Sequence, residues 1–242
     1  MKKTKIVTSI GPASSSVEVF EKMVEAGANV ARINFSHATI EERETVVSTV
    51  KEVRKRTNKN IAILYDTKGP EFRSGVAKED GISLVSGKTI KIVKEDVIGN
   101  EERFTVNHKT AIDALQIGDI VLLENGLMKI EVIEKADDYV NCKIINGGIL
   151  FSKKSLSAPG VDLNIPFISD IDREDIIYAC QHEGDYLAAS FVESAQNIYD
   201  IREILKKQNR EDMKIIAKIE SQTGMNNLES IAIAADGLMV AR

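Results

Sequence analysis

Residues 5–67 read KIVTSIGPASSSVEVFEKMVEAGANVARINFSHATIEERETVVSTVKEVRKRTNKNIAILYDT, and their rhythm decides the fold. Three short apolar runs, Lys5 to Ile10, Asn29 to Phe35 and Ile61 to Thr67, read as buried strands. Two segments of helical period lie between them. Ser15 and Glu18 suggest a capping box before a stripe of Val17, Phe20, Met23 and Val24, which Gly27 closes in a left-handed conformation. Thr39 and Glu42 suggest a second box, followed by a face of Val46, Val47, Val50 and Val53. Strand-helix-strand-helix-strand with near-continuous apolar strands means a parallel sheet covered by helices, an α/β fold.

Outward from this stretch, the rhythm breaks at Gly69-Pro70. From there to about Pro166 the chain shows short β-like runs separated by Gly, Asn and Asp: Ile90 to Val93, Ile120 to Leu123, Met128 to Ile133 and Tyr139 to Ile145. Only Thr110 to Leu115 suggests a short helical turn. Residues 69–166 therefore read as a small all-β barrel domain, inserted into an α/β domain of residues 1–68 and 167–242. The α/β rhythm then resumes. A helix is expected over Asp172 to Glu183 and a strand over Asp185 to Phe191. Ser194 caps a helix bearing Ile198, Ile201, Ile204 and Leu205. A strand over Lys214 to Glu220, a helix over Asn226 to Ala235 and a strand over Leu238 to Arg242 follow. That gives six parallel strands where a (β/α)8 barrel needs eight. A doubly wound sheet could use six, but no Gly-x-Gly-x-x-Gly turn follows the first strand. The pattern leaves an open sheet or a barrel cut short.

Composition narrows the function classes. Of 242 residues, 43% are hydrophobic and 29% charged, enough to build a core, and the net charge is −5. That balance argues against nucleic acid or an anionic membrane as partner, so a phosphate-bearing ligand needs a local basic cluster. Cys142 and Cys180 are far apart and read as reduced, buried thiols of a cytoplasmic protein. The opening Met1-Lys2-Lys3 has an apolar run after it, but that run ends at Gly11-Pro12 without a cleavage site, which argues against a signal peptide. No apolar run reaches membrane-spanning length.

Polar residues gather at strand ends. Arg32, Asn34 and Ser36 share one face of the second strand and its end, and Lys218 and Glu220 share a face of the fifth α/β strand. At the C-terminal ends of barrel strands such residues point into a ligand site; singly, each reads equally well as a solvated strand end. Asp66 and Thr67 close the third strand. With Asn34 and Ser36 they offer the hard oxygens a monovalent cation prefers, although an Asp-Thr turn explains the pair as well.

These residues belong to stretches that resemble the pyruvate kinase family. Thr4-Lys5-Ile6-Val7-Thr8-Ser9-Ile10-Gly11-Pro12-Ala13-Ser14 looks like the family's opening signature, and Asn29-Val30-Ala31-Arg32-Ile33-Asn34-Phe35-Ser36-His37 like its second-strand motif. Asp66-Thr67-Lys68-Gly69-Pro70-Glu71-Phe72-Arg73-Ser74-Gly75 resembles the entry into its lid domain. Ala217-Lys218-Ile219-Glu220 with Gly224 matches its metal-and-lysine motif, and Asp236-Gly237-Leu238-Met239-Val240-Ala241-Arg242 the start of a motif that continues with Gly-Asp. The resemblance runs in order along the whole chain. It implies a (β/α)8 TIM-type barrel, here reaching only about six strands, and phosphoryl transfer from phosphoenolpyruvate to ADP with Mg²⁺ (or Mn²⁺) and K⁺ as cofactors. It also implies a homotetrameric parent enzyme.

By the same resemblance, Arg32 contacts phosphate and Lys218 stands beside the transferring phosphoryl group. Glu220 holds the divalent metal. Asn34, Ser36, Asp66 and Thr67 hold potassium. Asn34, Phe35, Ser36, His37, Arg73 and Lys154 fall at nucleotide-contacting positions. Glu71 stands where potassium-independent members carry lysine. The sequence departs from the family at Asn125, where an aspartate is common, at Ser155, where a glycine is common, and at Glu193, where an arginine is usual. The family's second metal carboxylate falls just past Arg242. The chain alone is therefore expected to be inactive; the other reading is a non-catalytic nucleotide- or metal-binding chain, or one that complements a second fragment. The inserted β domain and the potassium-type motif argue against a different phosphoenolpyruvate-handling barrel.

Overall fold

The computed structural model describes residues 3–241. The chain divides into two compact units, one of the residues before Pro70 together with those after Pro166, the other of Pro70–Pro166.

In the first unit, strands β1 (Ile6–Ser9), β2 (Ala28–Asn34) and β3 (Ala62–Asp66) alternate with helices α1 (Val17–Ala26) and α2 (Ile40–Thr57). After the second unit come α4 (Asp170–Gln181), β12 (Tyr186–Ala189), α5 (Ala195–Lys207), β13 (Lys214–Ile219), α6 (Gln222–Asn226), α7 (Leu228–Ala234) and β14 (Gly237–Val240). The six strands form one parallel sheet in the order β1-β2-β3-β12-β13-β14. Strand order follows chain order with no reversal. This is the sequential winding of a (β/α)8 barrel, not the doubly wound pattern, whose order reverses at a switch point. The core lies between sheet and helices, around Phe20, Ile33, Val50, Ile63, Leu187, Ile201 and Ile215.

Local chemistry accounts for most boundaries. Thr39 and Glu42 form the expected capping box on α2, and Ser194 caps α5, whose buried face is Ile198, Ile201, Ile204 and Leu205. Ser169 and Asp172 form a further box on α4. Gly27 ends α1 at φ 118°.

Two local expectations are corrected. The cap of α1 is Ser16, which accepts from the Val19 amide; Ser15 donates instead to the Pro12 carbonyl. β1 is not buried: with one neighbouring strand, it leaves Ile6 and Val7 exposed. The helix expected over Asn226 to Ala235 is α7, and an unexpected short α6 precedes it, the two meeting at Asn227. The expected last strand is β14, and its projected end at Arg242 lies outside the described residues, as do Met1 and Lys2.

In the second unit, β5 (Thr89–Val93), β6 (Arg103–Thr105), β7 (Ile120–Leu123), β8 (Met128–Lys135), β9 (Tyr139–Asn146) and β11 (Leu156–Ser157) form a sheet in the order β11-β7-β8-β9-β5-β6. β4 (Ile82–Leu84) and β10 (Gly148–Leu150) pair separately, and α3 (Thr110–Ala114) is a single short turn of helix. The segment around Arg73 and Ser74 bridges to Ser155 beside β11 and to Val106 beside β6, and so joins the two ends of the sheet. Its own core holds Ile90, Ile92, Phe104, Leu115, Val121, Ile130 and Cys142.

Both cysteines are free and buried. Burial pushes the Cys142 thiol up to about 12 and raises that of Cys180, so neither is a reactive thiolate. Among the described residues no helix is long and apolar enough to cross a membrane.

Candidate active site

Parallel register puts the strand ends of the first unit side by side. Ser9 pairs with Arg32, Asn34 with Asp66, and Ala188 with Asp66. Ala189 pairs with Ala217, one residue before Lys218. Side chains at these C-terminal ends therefore converge without any long loop.

Asp66, 1% exposed, is the junction. Its Oδ2 accepts from Arg32 Nε at 2.6 Å and faces Arg32 Nη2 at 2.6 Å. Its Oδ1 accepts from Lys218 Nζ at 3.0 Å. Arg32 Nη1 donates to Ser9 Oγ at 2.6 Å. Lys218 Nζ also donates to Ser190 Oγ at 2.7 Å and lies 3.5 Å from Glu220 Oε1. Two cations and two carboxylates are thus interleaved, which offsets the cost of burying each. The Lys218 side chain is 12% exposed and that of Arg32 28%, so the guanidinium keeps an open edge.

Ser190 and Phe191 follow β12, and the sequence reading did not single them out. Ser190, 2% exposed, donates from Oγ to the Thr67 carbonyl at 2.6 Å while accepting from Lys218, and its amide donates to Thr67 Oγ1 at 3.1 Å. Phe191 sits at φ 55°, a conformation uncommon outside glycine, and its amide donates to Glu220 Oε2 at 2.9 Å. The signal available was position: both stand at the same strand-end level as the chosen residues.

The turn after β2 carries Asn34, Phe35, Ser36 and His37. Asn34 Oδ1 accepts from the Ser36 amide at 3.0 Å, and its carbonyl accepts from the His37 and Ala38 amides. The Phe35 ring is buried against Tyr65, with centroids 5.1 Å apart, and its amide donates to the Asp66 carbonyl at 3.0 Å. His37 is exposed. Asn34 and His37 border a cavity of about 340 Å³ with apolar walls from Ile10, Pro12, Ile33 and Val46.

The remaining expected residues, Arg73 and Lys154, belong to the second unit. Arg73 makes a fork on Glu71, with Nε and Nη2 donating to separate carboxylate oxygens at 2.8 and 2.7 Å, and this pair raises its affinity for its proton. Lys154 pairs with Glu124 at 2.6 Å. Two of the residues that depart from the family pattern meet here: Ser155 Oγ donates to Asn125 Oδ1 at 3.0 Å and accepts from the Asn125 amide at 3.1 Å.

The donor chemistry suits cations. Glu220 presents a carboxylate beside open strand ends, although among the described residues no three acidic, His or Cys side chains cluster as a ready-made metal cage. Asn34, Ser36, Asp66 and Thr67 bring amide, hydroxyl, carboxylate and carbonyl oxygens to neighbouring strand ends.

The family model described as "Pyruvate kinase, barrel domain" matches residues 1–242. The chain is 45% identical over 244 aligned residues to a pyruvate kinase of Staphylococcus haemolyticus, covering 100% of this chain and 42% of the relative. It is 44% identical to one of Staphylococcus epidermidis, with the same coverage, and 42% identical to one of Geobacillus stearothermophilus, covering 41% of that relative. The chain thus spans about two fifths of the length of the curated relatives it matches. On a family model matched from end to end and relatives this similar, the chain belongs to the pyruvate kinase family.

Proposed function

We propose that these residues form the N-terminal part of a phosphotransferase that moves the phosphoryl group of phosphoenolpyruvate to ADP, giving pyruvate and ATP in glycolysis. The observation that carries this reading is the interleaved cluster of Arg32, Asp66, Lys218 and Glu220 at adjoining strand ends. Phosphoryl transfer needs little covalent help; it needs positioning and neutralisation of spread negative charge. Asp66 and Ser9 fix the Arg32 fork so that its open edge faces phosphate oxygens. Asp66 and Ser190 fix the Lys218 ammonium, a point charge for the phosphoryl group and for the enolate oxygen as the bond breaks.

Glu220 would hold Mg²⁺ or Mn²⁺, which when bound supplies Lewis-acid charge to phosphoryl oxygens. Asn34, Ser36, Asp66 and Thr67 would hold K⁺. The cavity beside Asn34 and His37 suits the flat, apolar faces of a nucleotide base. Arg73 and Lys154, each on a carboxylate partner within the second unit, are proposed as nucleotide contacts on the family resemblance. Residues 69–166 are proposed as the lid domain of a barrel made by 1–68 and 167–242. The parent protein is proposed to be cytoplasmic and homotetrameric.

The test is a chimera in which this chain replaces the matching N-terminal 42% of the Staphylococcus haemolyticus relative. The chimera should form ATP from phosphoenolpyruvate and ADP, and Lys218→Met should lower kcat by about a hundredfold to a thousandfold. Glu71 makes potassium dependence the expected behaviour; equal rates with and without KCl would reject the potassium site. A polypeptide of the 242 residues alone has Glu220 without a second metal carboxylate and should turn over at least about a hundredfold more slowly. Comparable turnover by the short chain would sink the assignment of a second carboxylate.

A further inference from the structure

The turn that carries Asn34 to His37 is held from outside the site by a residue with no assigned role. Arg43 stands in the first turns of α2, and its side chain is 11% exposed. Its Nε donates to the Ala38 carbonyl at 3.0 Å and its Nη2 to the Phe35 carbonyl at 3.2 Å. Its Nη1 donates to Asp175 Oδ1 of α4 at 2.7 Å, and that carboxylate is itself 10% exposed. The guanidinium carbon lies 4.3 Å from the centroid of the Phe35 ring, whose other neighbours are Tyr65, stacked, and Tyr178, edge-on. One planar fork therefore spans both ends of the turn and ties it to a second helix. A lysine could keep the charge pair with Asp175, but it has no rigid fork to hold two carbonyls as well.

We propose that Arg43 is a positioning residue: by clamping the carbonyls of Phe35 and Ala38 it sets the geometry in which Asn34 and His37 meet a nucleoside diphosphate. Arg43 does not line the cavity beside those residues, so its effect reaches the ligand only through the turn. The inference rests on the reading of that cavity as the nucleotide site, and the experiment separates the two.

Wild-type chain, Arg43→Lys, Arg43→Gly, Asn34→Ala and His37→Ala are compared for ADP binding in magnesium chloride, for amide exchange at Ser36, His37 and Ala38, and for thermal midpoint. The expected result for Arg43→Lys is a near wild-type midpoint, a tenfold or greater rise in exchange confined to the three turn amides, and ADP affinity weakened fivefold or more. Millimolar methylguanidinium should restore both slow exchange and affinity to Arg43→Gly. Wild-type exchange and affinity in Arg43→Lys would overturn the proposal. So would loosening spread across the whole unit with a lowered midpoint, since that is what a merely structural role gives. If Asn34→Ala and His37→Ala leave ADP affinity unchanged, the nucleotide reading of the cavity fails, while the exchange pattern still decides whether Arg43 sets the turn.

Discussion

Asp236 is legible in the sequence only as part of a motif, whereas in the structure it is a local lock between α7 and β13. Its Oδ2 accepts from the Ile215 amide at 2.9 Å and from Arg202 at 3.1 Å. Burial pushes its pKa up, but the Ile215 amide and Arg202 outweigh burial and hold it below the ordinary aspartate value. A carboxylate lowered in the folded state binds fewer protons there than in the unfolded chain. Its stabilisation is present above the unfolded pKa and is lost as pH falls through the folded one. The stability gap between wild type and Asp236→Asn in urea denaturation should therefore be widest near neutrality and close below about pH 4. A gap constant across that range would show that the amide hydrogen bond, not charge, is what matters. Tyr178 offers the reverse case: among the described residues its hydroxyl is buried without a hydrogen-bond partner. An unsatisfied buried donor is costly, so Tyr178→Phe should leave stability unchanged or raise it by up to about 1 kcal/mol. A loss of more than about 0.5 kcal/mol would mean that ordered water satisfies the hydroxyl. Arg32, Asp66, Lys218 and Glu220 were readable because strand parity and the strand-end rule project charged side chains to one place. Ser190 and Phe191 were not: serine is unremarkable at a strand end, and Phe191 acts through a main-chain amide aimed by a positive φ.

At the scale of elements, the strong periodic segments read correctly because one face had to be buried: α2 and α5 kept their predicted stripes and caps. β1 did not read correctly. Its alternation is the same as that of a central strand, and only the count of neighbours decides whether Ile6 and Val7 meet protein or water. α6 did not read at all: it is five residues long with Gly224 as its buried member, so it shows no apolar stripe. The turn after β3 carries a sharper constraint. Gly69 has φ +68°, its amide donates to Asp172 Oδ1 at 3.0 Å, and a Cβ there would stand 2.9 Å from the Ser190 carbonyl oxygen. Gly87 has φ +86° with nothing within 4 Å of its Cβ position. Gly87→Ala should cost only the left-handed strain, about 1–2 kcal/mol. Gly69→Ala should cost more than Gly87→Ala in the same denaturation experiment, because Ser190 is packed between Thr67 and Lys218 and has no room to retreat. Equal losses would show that the turn relaxes away from β12.

At the scale of the whole molecule, the two units differ in how their sheets end. The six-stranded parallel sheet has β1 and β14 at its borders, and both carry exposed apolar side chains: Ile6 and Val7 at 42% and 46%, Leu238 and Val240 at 42% and 94%. Unpaired strand borders with apolar flanks invite association with other chains. In the second unit the Arg73–Ser74 segment bridges both ends of the six-stranded sheet, so its backbone groups are paired around the set, and its core is its own. Local stability follows such differences, because opening is easiest where few buried contacts oppose it. Hydrogen exchange on a polypeptide of the 242 residues should show slow exchange in β5, β7, β8 and β9, with markedly faster exchange in β1 and β14. The same sample should self-associate as concentration rises, and charged substitutions at Val7 and Val240 should reduce that association without changing exchange in the second unit. Uniform protection across β1 and β14 in a monomer at all concentrations would mean that the borders are covered by a pairing absent from this arrangement. The association argument would then fail with it.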